Sequence, residues 1–298
     1  MFALVRDLAN GRDVTEIPIA RWYVERHNLG PLAARAGAVA FRDDLIRSTV
    51  AWARIERVLP PLVEQLHALG VRVVVLKGVS YATSIYEVPA ERPMSDIDLL
   101  VSPPLPASQL FQRLGFEWVP NTPFHHAQTF FKGDTIVDLH QTFVSQSHAG
   151  LDISGVFERA TPTGPFGTLR LSPIDELAFH LVHMWRGRLC GPLVQIIDLH
   201  RLVQRADPEA ALARAAEWQL GRGARRAYRY YRSILAGDVD LHYATVDDIV
   251  CARQPSIPRR ILFDLAVADS PRQLAARALH SIAQRWFAGR PSGDARGR

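Results

Sequence analysis

Two aspartates one residue apart, Asp96 and Asp98, open the apolar run Asp96-Ile97-Asp98-Leu99-Leu100-Val101. On an extended strand the side chains alternate between faces, so both carboxylates project together while Ile97 turns toward a core. Held side by side they repel unless a cation lies between them, and hard carboxylate oxygens suit Mg²⁺. In isolation, a solvated acidic pair at a strand start would read the same way. A third carboxylate, Asp138, sits in a second strand-like run, Thr135-Ile136-Val137-Asp138-Leu139-His140. If the two strands are neighbours, three carboxylates face one spot, and His140 shares the face of Asp138. Upstream, Lys77-Gly78 and then Ser80 follow an apolar run. A glycine there admits close approach to the backbone, and exposed N–H groups beside a lysine hold phosphate oxygens. Arg92, in the loop before Asp96, is a further candidate for phosphate or for an acidic partner. Carboxylates facing a phosphate cradle are what metal-assisted phosphoryl or nucleotidyl transfer requires.

The elements that must carry these residues can be read in turn. Residues 48–69 keep helical spacing through Ile55, Val58, Leu59, Leu62, Leu66 and Leu69, and Gly70 is a helix stop. Pro60-Pro61 predicts a kink there, or two helices meeting. A strand follows at 71–76, then a short helix at 79–86 whose start is a natural anion site. Residues 87–95, with Pro89 and Pro93, read as a loop into the Asp-bearing strand. A helix at 105–114 and a short strand at 116–119 come next. Lys132-Gly133-Asp134 supplies the residue types of a tight turn between strands 127–131 and 135–143, a hairpin that delivers Asp138 to the sheet. Residues 48–149 therefore read as a small α/β core, preceded by a helical extension over 1–47 without evident chemistry. Glycine, proline and threonine over 150–171 suggest a linker. Ser172-Pro173-Ile174-Asp175 is a helix start, and further helices begin near Pro192, at Asp207-Pro208, after Gly221–Gly223 and at Ser270-Pro271. Residues 172–290 read as an all-α domain, and 291–298 as a disordered tail.

The ordered set Leu76-Lys77-Gly78-Val79-Ser80-Tyr81, Arg92-Pro93-Met94-Ser95-Asp96-Ile97-Asp98-Leu99-Leu100-Val101 and Ile136-Val137-Asp138-Leu139-His140 resembles the bacterial nucleotidyltransferase-like proteins of the DNA polymerase β superfamily. The likeness covers roughly residues 50–205, reaching into the helical half through Ser172–Trp185 and Ile196–Val203. It implies an α+β fold: a polymerase-β-like core of mixed sheet with helices, followed by the all-α C-terminal domain. It implies that Gly78 and Ser80 contact a nucleoside triphosphate, and that Asp96, Asp98 and Asp138 hold two Mg²⁺ ions, or Mn²⁺. The expected activity moves a nucleoside monophosphate to an acceptor hydroxyl or phosphate with release of pyrophosphate, Lys77 and Arg92 assisting at the phosphates. ATP is favoured as donor from its abundance alone. The acceptor, a small molecule, peptide or protein, is not encoded in any motif. A non-catalytic nucleotide- or partner-binding module on the same fold is the alternative.

A chain of 298 residues with 48% hydrophobic and 22% charged residues can bury a large core as an ordinary globular protein. No apolar segment reaches the roughly 20 residues needed to cross a bilayer, and Arg6 and Asp7 interrupt the first apolar run, making a poor signal peptide. Cys190 and Cys251 form no disulfide framework, so the expectation is cytoplasmic. The net charge of +5 is compatible with nucleotide but shows no partner. His125-His126 are adjacent, and adjacent side chains diverge on a strand or a helix, so a joint role is not expected. His180, His183, Asp198 and His200 would offer metal ligands for a hydrolase; the plainer reading is that His180 hydrogen-bonds within an apolar stripe. Asp198 interrupts an apolar run and needs a partner; it ties helices together or faces the cleft as a base. Arginines and tyrosines interleave over 222–232, which suits either single-stranded nucleic acid or a packed surface helix; the second is expected.

Overall fold

The computed structural model describes residues 2–15, 20–119, 127–144 and 151–237, together with residues 249, 256, 258–260, 262, 265 and 268. The chain opens with α1 (Phe2–Ala9), α2 (Arg21–Arg26), α3 (Gly30–Arg35) and the long α4 (Arg42–Ala68). Asp43 and Asp44 in the first turn of α4 suit the positive end of its dipole. Gly70, in the left-handed region at φ 70°, turns the chain out of α4 and into β1 (Arg72–Val75). There follow α5 (Lys77–Ala82), β2 (Ile97–Ser102), α6 (Pro104–Arg113), β3 (Glu117–Val119), β4 (Ala127–Lys132) and β5 (Thr135–His140). The second half holds α7 (Ile153–Arg159), β6 (Leu169–Arg170), α8 (Pro173–Arg186), α9 (Val194–Leu202), α10 (Pro208–Glu217) and α11 (Gly221–Ala236).

Among the described residues the strands form one mixed sheet in the order β3-β4-β5-β2-β1-β6. β1 and β2 are antiparallel, β2 and β5 parallel, and β4 and β5 make the expected hairpin, with Gly133 at φ 56° in its turn. One face carries Val73, Val75, Ile97, Leu99, Val137 and Leu139 into a core with α4 and α6. The other face adds Val74 and Leu100 to a larger core built from α1, α8, α9 and α11. Asp98 lies between Ile97 and Leu99, so alternation turns it away from α4 and toward the helical half. The observed class is the expected one, α+β with a mixed sheet and helices after it.

Four expectations change. Pro60-Pro61 does not break α4, which runs through them as one helix. Two N–H donors are missing there, but Trp52, Ile55, Leu59, Leu62 and Leu66 form a buried stripe that holds the helix against the sheet. The helix also spans residues 47 and 48, so no boundary falls there. The segment expected as a linker carries α7 and β6, and β6 extends the sheet in parallel beside β1. Two residues of strand are too short to show a period. The first helices, for their part, are not an appendage: Leu4, Val5, Leu8, Val24 and Leu29 belong to the core of the helical half. Among the described residues, no helix is long and apolar enough to cross a membrane. His125, His126, Cys251, the helix expected from Ser270 and the tail lie outside the described residues.

Candidate active site

The parallel register of β2 and β5 sets Asp98 opposite Asp138 and Leu100 opposite His140. Opposed residues on paired strands share a face, so both carboxylates and the imidazole converge. One ligand atom from each of Asp98, Asp138 and His140 can be chosen so that all lie within 4.8 Å of one another. Asp98 is buried, and its Oδ1 accepts from Lys77 Nζ at 2.6 Å and from His140 Nε2 at 2.8 Å. Asp138 Oδ1 accepts from Thr129 Oγ1 at 2.6 Å, across the β4–β5 hairpin. Burial by itself would raise the Asp98 pKa, but the Lys77 charge and the His140 bond outweigh it and hold the carboxyl well below the usual range. Burial lowers the pKa of His140, with the Lys77 charge adding to it against the pull of Asp98.

Asp96 precedes β2 and stands on the rim. Burial, and then the neighbouring Asp98, raise its pKa, as expected of like charges sharing a site. Asp96 and Asp98 line one cleft of about 400 Å³ together with Lys77, Gly78 and Arg92. Lys77 has a left-handed backbone, φ 43°, an uncommon state for a lysine, and its ammonium fills the space beside Asp98 where a cation would sit. Gly78 is needed for packing: a Cβ there would come 2.7 Å from Met94 Cγ. Asp98 and Asp138, with His140 beside them, offer a donor set of oxygens and one imidazole nitrogen that suits Mg²⁺ or Mn²⁺. The donors therefore fit a divalent cation once the Lys77 ammonium yields its place.

Two sequence-predicted residues are committed to protein partners. Ser80 is fully buried and donates to Glu176 Oε1 on α8; it joins α5 to the helical half and does not line the cleft. Arg92 does line the cleft, yet its guanidinium is committed. Nε donates to both Asp198 oxygens at 2.9 Å, Nη2 lies 2.9 Å from Oδ2, and Nη1 donates to the Pro93 carbonyl at 2.6 Å. Burial opposes the Arg92 charge, but Asp198 more than offsets it and the pKa is raised. Tyr86 donates a third bond to Asp198 at 2.6 Å. Asp198 is thus a buried tie between α9 and the loop before β2, and it is absent from the cleft lining.

The histidines of the helical half are not gathered into a metal site. His180 meets the Tyr81 hydroxyl at 3.0 Å and the Gln195 carbonyl at 2.8 Å. His200 meets the Tyr231 hydroxyl at 3.0 Å. His183, in contrast, faces the cleft opposite Lys77 and Asp98, beside Gln195 and Asn28. Burial, then the Lys77 charge, hold its pKa well below the usual value, so it is neutral. Its cleft position escaped the sequence because the i, i+3 spacing to His180 says only that both share a helix side. On α11, Tyr230 and Tyr231 are buried while Arg225, Arg229 and Arg232 are exposed, the packed surface helix.

Among curated proteins none matches the chain. A similar solved structure is an antigenic nucleotidyltransferase-like protein from Paracoccidioides brasiliensis, 16% identical, with a TM-score of 0.38, covering 68% of this chain and 94% of that one. A family model described as an uncharacterised nucleotidyltransferase matches residues 23–236. That span takes in both Asp-bearing strands, the Lys77-Gly78 lip and the helices that close the cleft, and the chain belongs to this nucleotidyltransferase family.

Proposed function

We propose that the protein transfers a nucleoside monophosphate, AMP from ATP, to an acceptor hydroxyl or phosphate and releases pyrophosphate. The observation that carries this reading is the parallel register placing Asp98 beside Asp138; Asp96 and Asp98 line the cleft, and Asp138, itself absent from that lining, adjoins it through Asp98. Asp96, Asp98 and Asp138 would hold two Mg²⁺ ions, or Mn²⁺, with His140 as a neighbouring donor. Such ions polarise phosphoryl oxygens and help ionise the attacking hydroxyl. Asp138 takes the proton of that hydroxyl as its oxygen bonds to the α-phosphorus and the bond to pyrophosphate breaks. Lys77 leaves Asp98 and turns its ammonium to the departing phosphates, which have left-handed backbone and Gly78 beside them. Arg92 supports the loop through Asp198, and Ser80 supports α5 through Glu176.

Nucleotide binding without transfer is the second reading. It is favoured by the Lys77–Asp98 pair, since an internal cation already neutralises that carboxylate. Calorimetric titration of each nucleoside triphosphate, with Mg²⁺ and with EDTA, separates the two. Transfer predicts Mg²⁺-dependent binding that is lost in the Asp96→Asn, Asp98→Asn double variant while the fold remains. Equal binding in EDTA would select the second reading, and no binding of any triphosphate would reject both.

A further inference from the structure

The cleft does not end at the carboxylates. Asn28, Pro93 and Met94 line both it and a second depression of about 330 Å³ over α3 and the start of α4. Every charged side chain lining this second depression is paired. Arg47 Nη2 donates to Asp44 Oδ1 at 2.7 Å, and Arg21 meets Glu25 at 2.9 Å and Asp44 at 3.7 Å. What the depression offers a ligand is one buried carboxylate oxygen, Asp44 Oδ2, without a hydrogen-bond partner among the described residues, together with neutral groups and no free cation. Ser48 lines it, is only 7% exposed, and its hydroxyl has no partner among the described residues. A buried hydroxyl without a partner is uncommon, because leaving it unsatisfied costs free energy. Asn28, held at φ 57°, a backbone state that asparagine tolerates, presents an exposed amide where the two spaces join. The far wall of the cleft adds His183 and Gln195, also uncharged in this setting.

We propose that this second depression is the acceptor site and that it takes a neutral, hydroxyl-bearing group. In this depression an anionic acceptor would meet the carboxylates of Glu25 and Asp44, and Arg47, the cation of the lining, is already paired with Asp44. A polyol or an uncharged hydroxyl side chain instead satisfies Ser48, Asn28 and Asp44 Oδ2, and its reacting hydroxyl passes Met94 toward the adjoining cleft of Asp96 and Asp98. The inference rests on the transfer reading and narrows it, excluding a phosphate or a nucleic-acid end as acceptor.

The test uses the full chain, Mg²⁺ and ATP labelled at the α-phosphate. One panel is neutral: glycerol, glucose, inositol, and uncharged peptides carrying Ser, Thr or Tyr. The other is anionic: a sugar phosphate, a phosphoserine peptide and a short RNA. Label is expected on a neutral acceptor, and whether it is a polyol or a peptide tells which source supplies the hydroxyl. Ser48→Ala should raise the acceptor KM about tenfold, the scale of one lost hydrogen bond, with Mg²⁺-dependent ATP binding and melting temperature kept. Asn28→Gly keeps the backbone state, removes the amide and should raise the same KM. Label on an anionic acceptor, label on no neutral one, or an unchanged acceptor KM in both variants overturns the proposal. Failure of the transfer reading looks different, because the wild type would then show no Mg²⁺-dependent ATP binding at all.

Discussion

Replacing Asp198 by alanine tests whether the tie between α9 and the loop before β2 is structural. The carboxylate is fully buried and accepts from Arg92 and Tyr86, while the Arg92 side chain is only 12% exposed. Its removal strands a guanidinium in low dielectric and leaves the Tyr86 hydroxyl unsatisfied. Breaking a buried, hydrogen-bonded ion pair from one side costs about 3–5 kcal/mol, and the Tyr86 bond lies within that range. The middle of the range, about 4 kcal/mol, is roughly a thousandfold in the folding equilibrium. Urea unfolding followed by tryptophan fluorescence reads this as a lower midpoint. Asp198→Asn, which keeps the shape and one acceptor, should lose less. Arg92→Met combined with Asp198→Leu should recover most of the loss, because a buried pair is often matched by well-packed apolar residues. Asp198→Ala within about 1 kcal/mol of wild type, or a double variant as damaged as the single one, would refute the reasoning. A normal fold with abolished transfer would return Asp198 to the role of base.

Two further outcomes follow from the same structure. Gly78→Ala should push Met94 into the cleft and weaken triphosphate binding with little change in melting, since its Cβ would sit 2.7 Å from Met94 Cγ; adding Met94→Ala should restore binding, and no restoration would show that the glycine serves the ligand directly. His180 and His183 both have folded pKa values lowered chiefly by burial. Because the unfolded chain then binds protons the folded one refuses, the stability they allow is whole above about pH 6.5 and falls as pH drops below it. Urea midpoints at about pH 7.5 and 5.5 should therefore differ, and equal midpoints would contradict the buried, neutral assignment.

The Asp-bearing strands were legible because their apolar residues alternate around single carboxylates, which fixes both the element and the face. The start of α8 was legible from local chemistry: the Ser172 side chain caps it by accepting from Asp175 N at 3.2 Å. What could not be read depends on partners distant in sequence. Ser80 finds Glu176, 96 residues on, and Arg92 finds Asp198, 106 residues on. A serine after Lys-Gly and an arginine near Asp-x-Asp both look free when only neighbours are considered. The apolar stripe across Pro60-Pro61 is visible in the sequence, but the burial against the sheet that secures α4 despite two lost donors is not. The acceptor depression was invisible for the opposite reason: its residues come from α2 to α4 and the loop before β2, and none carries a motif.

The parallel pairing of β2 with β5 also governs when the candidate donor set is assembled. Asp98 belongs to the antiparallel β1–β2 pair, whose strands are joined through α5, and Asp138 to the β4–β5 hairpin. Neither pair holds both carboxylates. The donor set comes into being only as the two pairs dock, a non-local and therefore slow class of contact. A ligand that engages both aspartates then acts as a rivet across that seam: it binds the assembled sheet and not its separate halves, and at a hundredfold excess over Kd such linkage adds about 2.7 kcal/mol. Substrate and scaffold are in this sense interdependent, the sheet creating the site and the occupied site locking the sheet.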